Sequence, residues 1–174
     1  MKNGLIQVYT GDGKGKTTSA VGQIIRASGH NAKICFIQLF KPQKFFGEQK
    51  VLFKLKNVDY FSFCDTHPKF NKKISPKQVK IECDKLLNFI KKVFSMNKYD
   101  ILVLDEFNIA LRDKFINTEE IINILKNKPD NLEIIITGRN APEKLIKIAD
   151  LVTEMKKIKH PFDNGIKSRK YIDY

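Results

Sequence analysis

The segment Leu5-Ile6-Gln7-Val8-Tyr9 runs directly into Thr10-Gly11-Asp12-Gly13-Lys14-Gly15-Lys16-Thr17-Thr18. The first stretch is β-branched and aromatic and ends near glycine, so it reads as a buried strand. Lys16 to Ala27 then carries Ala20, Ile24 and Ala27 at helical spacing, and Gly29 supplies a stop. Strand, glycine-rich turn and helix in that order is the setting of a phosphate loop. The pattern for such a loop is G-x-x-x-x-G-K-S/T. Gly15-Lys16-Thr17 match its end, while Thr10 stands where its first glycine would be, so the cradle is a variant. Successive backbone N–H groups and the positive end of the helix favour an anion there. Lys16 adds a full charge for phosphate oxygens, and the Thr17 hydroxyl is a hard ligand suited to Mg²⁺.

The rest of the chain continues the alternation. Lys33 to Leu39 and Val58 to Phe63 read as strands, with residues 40–50 between them as a loop opened by Lys41-Pro42. Ser75-Pro76-Lys77-Gln78 is a helix start with a capping box. Val79, Cys83, Leu86, Ile90 and Val93 then make one apolar stripe. Ile101 to Leu104 is a continuous apolar run, as in a central parallel strand. Thr118-Glu119-Glu120 opens another helix that Pro129 closes. Leu132 to Thr137 is a strand, Pro142 to Ala149 a short helix, and Leu151 to Met155 a last strand. This order predicts an α/β domain with a mostly parallel sheet and helices on both faces. Ligands of such sheets sit at the carboxyl ends of the strands. The stretches 40–57 and 64–75 are long enough to be functional loops.

With 174 residues, a single domain over 1–174 is expected. The chain holds 32 Lys and Arg against 19 Asp and Glu, a net charge of +13, which invites a nucleic-acid reading. Against it, the arginines are few (Arg26, Arg112, Arg139 and Arg169) and the lysines are scattered over the whole chain. A solvated lysine surface explains the excess better than a polymer partner does. No apolar run approaches the ~20 residues needed to span a bilayer, and the N-terminus is too short and polar for a signal peptide. Cys35, Cys64 and Cys83 form no C-x-x-C pair, so neither a disulfide frame nor a zinc site is expected. A reducing cytoplasmic setting fits best.

Leu102-Val103-Leu104-Asp105-Glu106 places two carboxylates at the carboxyl end of an apolar strand. One of them can hold Mg²⁺ directly or through water while the other orients a group or acts as base. With the phosphate loop upstream, phosphate and Mg²⁺ binding is the firmest reading of the residues alone. They leave open what is done with the nucleotide, and a RecA-like ATPase or ATP-dependent nucleic-acid-binding module remains an alternative.

Thr10 to Thr18, Leu104-Asp105-Glu106, Thr137-Gly138-Arg139-Asn140-Ala141-Pro142 and the tail Lys159-His160-Pro161-Phe162-Asp163-Asn164-Gly165-Ile166 through Ile172-Asp173-Tyr174 occur in this order. Together they resemble the ATP:corrinoid adenosyltransferases of the CobA/CobO/BtuR type, over Leu5 to Tyr174. The glycine-rich loop alone is not diagnostic; the T-G-R-N-A-P segment and the K-H-P-F-D-x-G-I tail are far more specific.

The resemblance implies a RecA-like phosphate-loop fold and transfer of the 5′-deoxyadenosyl group of ATP to the Co(I) centre of a corrinoid, with triphosphate as leaving group. It implies Thr10, Gly11, Asp12, Gly13, Lys14, Gly15, Lys16, Thr17, Thr18 and Arg139 as ATP-binding residues. An ion pair at the protein surface is an equal reading of Arg139. Lys16 and Glu106 would be catalytic, and Thr17, Glu106 and, less directly, Asp105 would hold Mg²⁺ or Mn²⁺. A reducing partner of flavodoxin type and a homodimer are implied as well; nucleic acid and membrane are not. Where relatives carry a Phe and Trp pair that displaces the lower axial ligand of cobalt, this chain reads Asp65-Thr66-His67-Pro68-Lys69-Phe70, with Phe70 as one candidate wedge for the corrinoid and no Trp anywhere. A homologue that binds nucleotide or corrinoid but has lost turnover is therefore a further alternative. Pro42, Lys44 and Tyr171 also replace residues customary in the family. His67, a lone histidine before proline, is expected to be a solvated loop residue.

Overall fold

The computed structural model describes residues 3–174. In chain order it contains β1 (Ile6–Thr10), α1 (Lys16–Ser28), β2 (Ile34–Leu39), α2 (Gly47–Leu52), β3 (Val58–Phe63), α3 (Pro76–Met96), β4 (Ile101–Asp105), α4 (Phe107–Arg112), α5 (Thr118–Leu125), β5 (Glu133–Thr137), α6 (Glu143–Ile148), β6 (Leu151–Glu154) and a 3₁₀ turn over Pro161–Asn164. The strands form one sheet in the order β3-β2-β4-β5-β1-β6. Every pairing is parallel, as the strand and helix alternation predicts.

Both faces of the sheet are covered because its central strands run apolar through Ile101–Leu104 and Ile134–Ile136. In β4, Leu102 and Leu104 face one way and pack with Cys83, Leu86 and Ile90 of α3, Phe107 of α4 and Ile121 of α5. Ile101 and Val103 face the other way and join Ala20 and Ile24 of α1 and Leu52 of α2. The α3 stripe read from the sequence is buried throughout. Its start is capped as expected: Ser75 Oγ accepts from Gln78 N, and Gln78 Oε1 accepts from Ser75 N. For α5 the cap is Asn117, one residue before the expected start, its side chain accepting from Glu119 N at 2.8 Å.

Two short helices differ from the sequence reading. The 40–50 segment is not all loop, because α2 begins at Gly47. Gln49 fixes the turn into it by accepting from the backbone N–H groups of Phe45 and Phe46 at 2.9 and 3.1 Å. Helix α4 follows β4 after a single residue, Glu106, which adopts a left-handed conformation (φ 61°) that reverses the chain. Each helix has six residues, fewer than two turns, so neither shows a periodic stripe.

No described helix is long and apolar enough to cross a membrane, and the three cysteines are free thiols.

Candidate functional site

The carboxyl ends of β1 and β4 carry the two motifs, yet these strands are not neighbours. β5 lies between them. The phosphate loop and the carboxylates nevertheless meet, because α1 starts directly behind the loop and points Thr17 at the end of β4. Thr17 Oγ1 donates to Asp105 Oδ1 at 2.9 Å.

The variant loop solves its turn one residue late. Thr10 stays in β1, with its Oγ1 accepting from Ala141 N at 3.0 Å, while Gly11 takes the positive φ of 92°. A Cβ at Gly11 would lie 2.5 Å from the carbonyl oxygen of Met155, so only glycine fits there. Gly15 caps α1 with a φ of 122° and no side-chain hydrogen bond, which leaves the first N–H groups of the helix open to a ligand. Lys16 Nζ donates to the carbonyls of Gly11 and Gly13 at 2.7 and 2.6 Å, curling over its own loop. Burial lowers its pKa, with Arg139 acting in the same direction and Glu106 against it.

Asp105 is fully buried and fully engaged. Its Oδ1 accepts from Thr17 and, at 2.7 Å, from Thr137 Oγ1; its Oδ2 accepts from Gln38 Nε2 at 2.8 Å and Lys41 Nζ at 3.0 Å. Burial alone would raise its pKa, but the Lys41 charge and these hydrogen bonds outweigh it and hold the carboxyl below its ordinary range. Glu106 is pushed the other way, by burial first and by Asp105 beside it second. Its backbone N–H donates to Thr137 Oγ1 at 3.0 Å, and its side chain lines the cleft over the phosphate loop.

That cleft has a volume of about 1170 Å³. Gly13 to Thr18 form its floor, Arg139 and Asp12 stand at its mouth 3.9 Å apart, and Phe45 and Phe46 form one wall. The tail returns over it. Lys14 pairs with Asp173 and donates to the carbonyl of Ile172 at 2.8 Å, while Tyr174 stacks on Phe45 with ring centroids 5.1 Å apart.

The structure therefore gathers Asp12 to Thr18, Glu106 and Arg139 around one cleft, with Asp105 in direct contact beneath Thr17. Thr10 faces the 138–142 turn instead, and Phe70 stands on the separate 64–75 loop, 86% exposed. The expectation of a solvated His67 is corrected: the residue is 5% exposed. Its Nδ1 accepts from Lys69 N at 3.1 Å, which leaves Nε2 as the donor to Asp113 Oδ2 at 2.8 Å, and its ring packs among Phe40, Phe70 and Phe115. Burial of this kind arises from distant residues and leaves no local mark in the sequence.

Sequence reading also passed over the polar network behind the site. Gln38 Oε1 accepts from Gln49 Nε2 at 2.6 Å, and Gln49 Nε2 also reaches the hydroxyl of Tyr60. A signal did exist. Gln38 is the one polar residue in the otherwise apolar β2, next to its carboxyl end, and a buried polar residue there requires partners.

A family model described as ATP:corrinoid adenosyltransferase BtuR/CobO/CobP matches residues 2–174. A corrinoid adenosyltransferase of Sinorhizobium sp. is 35% identical over 99% of this chain and 81% of its own length. One from Escherichia coli K12 and the CobA enzyme of Salmonella typhimurium are each 31% identical over 99% of this chain and 87% of theirs. Among solved structures, the KaiC-like protein PH0186 of Pyrococcus horikoshii OT3 superposes with a TM-score of 0.59 at 17% identity. The match covers 90% of this chain and 75% of that one, a likeness of fold alone.

Proposed function

Because the chain belongs to the ATP:corrinoid adenosyltransferase BtuR/CobO/CobP family and is a corrinoid adenosyltransferase, we propose how its residues divide the work of transfer. The observation that carries the reading is the convergence of Lys16, Thr17 and Glu106 on one cleft above the open N-terminus of α1. The reaction is displacement at C5′ of ATP. The electron pair of the Co(I) substrate forms the Co–C5′ bond, and the C5′–O bond breaks with its pair leaving on triphosphate. No water is activated, so the site needs no general base. It needs a binder for a leaving group that gains negative charge as the bond breaks.

The backbone N–H groups from Gly11 to Thr17 form that binder, and Lys16 adds a charge once its ammonium leaves the carbonyls of Gly11 and Gly13 for phosphate oxygens. Arg139 and Lys14, at the mouth of the cleft, reach the outer phosphates. Thr17, Asp105 and Glu106 form an all-oxygen donor set at the phosphate end of the cleft, which fits Mg²⁺ or Mn²⁺. Thr17 and Glu106 would hold the ion. Asp105, whose oxygens already accept four hydrogen bonds, would fix the Thr17 hydroxyl. When bound, the ion supplies positive charge to the triphosphate. The exposed Phe70 is assigned to the corrinoid, where an aromatic face would meet the macrocycle.

The rest of the reading covers the whole protein: one phosphate-loop domain over 1–174, a cytoplasmic setting, a reducing partner that delivers Co(I), and a homodimer. Support for the first two comes from the single continuous sheet and the three free thiols. The exposed Leu151 and Val152 on the edge strand β6 offer an apolar surface for a second copy. Product analysis tests the chemistry. Transfer yields one inorganic triphosphate per adenosylated corrinoid, whereas an ATPase would yield ADP and phosphate without any cobalt product.

A further inference from the structure

Among the described residues, Lys41 is the cation from outside the phosphate loop that is hydrogen-bonded to Asp105. It lies two residues beyond β2, and its side chain, only 14% exposed, turns in beneath Thr17. Its Nζ stands 3.0 Å from Asp105 Oδ2 and 3.1 Å from Thr17 Oγ1. The Thr17 hydroxyl spends its proton on Asp105 Oδ1, so what it presents to the ammonium is an oxygen lone pair. Lys41 thus bonds the same oxygen that the proposed function gives to the metal ion.

We propose that Lys41 is an internal counter-cation: in the nucleotide-free protein its ammonium takes the place of the divalent ion beside Thr17, Asp105 and Glu106, and arrival of the metal–nucleotide displaces it. The inference rests on the reading of Thr17 and Glu106 as the residues that hold the ion.

Three features support it. Two adjacent carboxylates, one of them fully buried, need a positive charge close by, and Lys16 is hydrogen-bonded to backbone carbonyls rather than to either of them. The lysine sits on a loop, behind a left-handed Phe40 (φ 56°), so its side chain is not fixed by a regular element. The Phe46 ring on the cleft wall already lies 5.1 Å from Nζ in this position and gives a displaced ammonium an aromatic face to move along. The arrangement makes metal binding depend on nucleotide. A divalent ion alone must expel a favourably placed ammonium, whereas the ion that comes with ATP brings phosphate oxygens whose net negative charge receives it.

Mn²⁺ held by the protein, read in equilibrium dialysis as the excess of total Mn²⁺ on the protein side so that free Mn–ATP cancels, tests the proposal. Wild-type protein should take up Mn²⁺ with ATP and not without it. Lys41→Met should take up one Mn²⁺ per chain with no nucleotide present, at least about tenfold tighter than wild type, because a neighbouring positive charge has gone. Should the methionine variant not fold, Lys41→Gln keeps an amide donor for Asp105 and should show the same gain. Lys80→Met, an exposed lysine of α3, should behave as wild type. The proposal is overturned if a folded Lys41 variant gains no Mn²⁺ affinity, or if wild-type protein binds Mn²⁺ equally with and without ATP. Wild type that binds no Mn²⁺ even with ATP overturns the underlying metal assignment instead.

Discussion

Thr137 Oγ1 donates to Asp105 Oδ1 at 2.7 Å and so ties the end of β5 to the end of β4. The same hydroxyl accepts the backbone N–H of Glu106, holding the left-handed residue that turns the chain into α4. Thr137→Val keeps the shape and removes both bonds, leaving the part-buried Glu106 N–H and the buried Asp105 Oδ1 each short of a partner. It should destabilise the fold by about 1–3 kcal/mol in urea unfolding, while Thr137→Ser should recover most of the loss. Equal stability of the valine variant and wild type would refute the role given to Thr137.

Glu106→Gln should raise the Mg²⁺ concentration needed for half-maximal turnover by roughly tenfold or more while leaving the fold intact. The prediction is checked by titrating Mg²⁺ at saturating ATP. An unchanged requirement would remove Glu106 from the proposed metal site.

What could be read ahead of the structure was what is local. The strand, loop and helix around Gly15-Lys16-Thr17 are contiguous, and the Asp105-Glu106 pair ends an apolar run, so both were legible in the chain. The bonds that turn them into one site join residues far apart: Thr17 to Asp105, Thr137 to Asp105, Gln38 to Gln49, Lys41 to Thr17. Such pairings depend on strand order, and here the strand between the two motifs is the fifth in sequence. Helices α2 and α4 were missed because six residues are too few to show a period. The burial of His67 was missed because Phe40 and Phe115, which cover it, lie tens of residues away.

Asp173 pairs with Lys14, the residue that the proposed function gives to the outer phosphates. The pairing holds the Asp173 carboxyl down at about 2, so it is charged at neutral pH, and on the proposed reading ATP has to displace it from Lys14. Asp173→Asn should therefore lower the KM for ATP by roughly two- to fivefold, the range of an exposed ion pair. An unchanged or raised KM would show that the tail contact does not oppose nucleotide.

Asp113 gives the fold a defined acid limb. The Arg112 guanidinium donates to it twice at 2.7 Å, His67 donates once, and Lys69 is nearby; together they hold its carboxyl down at about 2. Its ordinary value is 3.8. Because the folded value is depressed, the stabilisation is complete above the ordinary value and is lost as pH falls from there toward 2. Asp113→Asn should be less stable than wild type at pH 7, and the difference should shrink across that acid window. A gap that stays constant between neutral pH and the acid limb would contradict the assignment.

The most direct test of the whole account is a single spectroscopic assay with wild-type and Lys16→Ala protein. Each is mixed with Mg-ATP and chemically reduced cobalamin, and the Co(I) absorption is followed. Wild type should consume Co(I) and form a light-sensitive alkyl–cobalt product, while Lys16→Ala should be slower by on the order of 100-fold or more. Wild-type protein that binds ATP yet leaves free Co(I) unchanged would contradict the account.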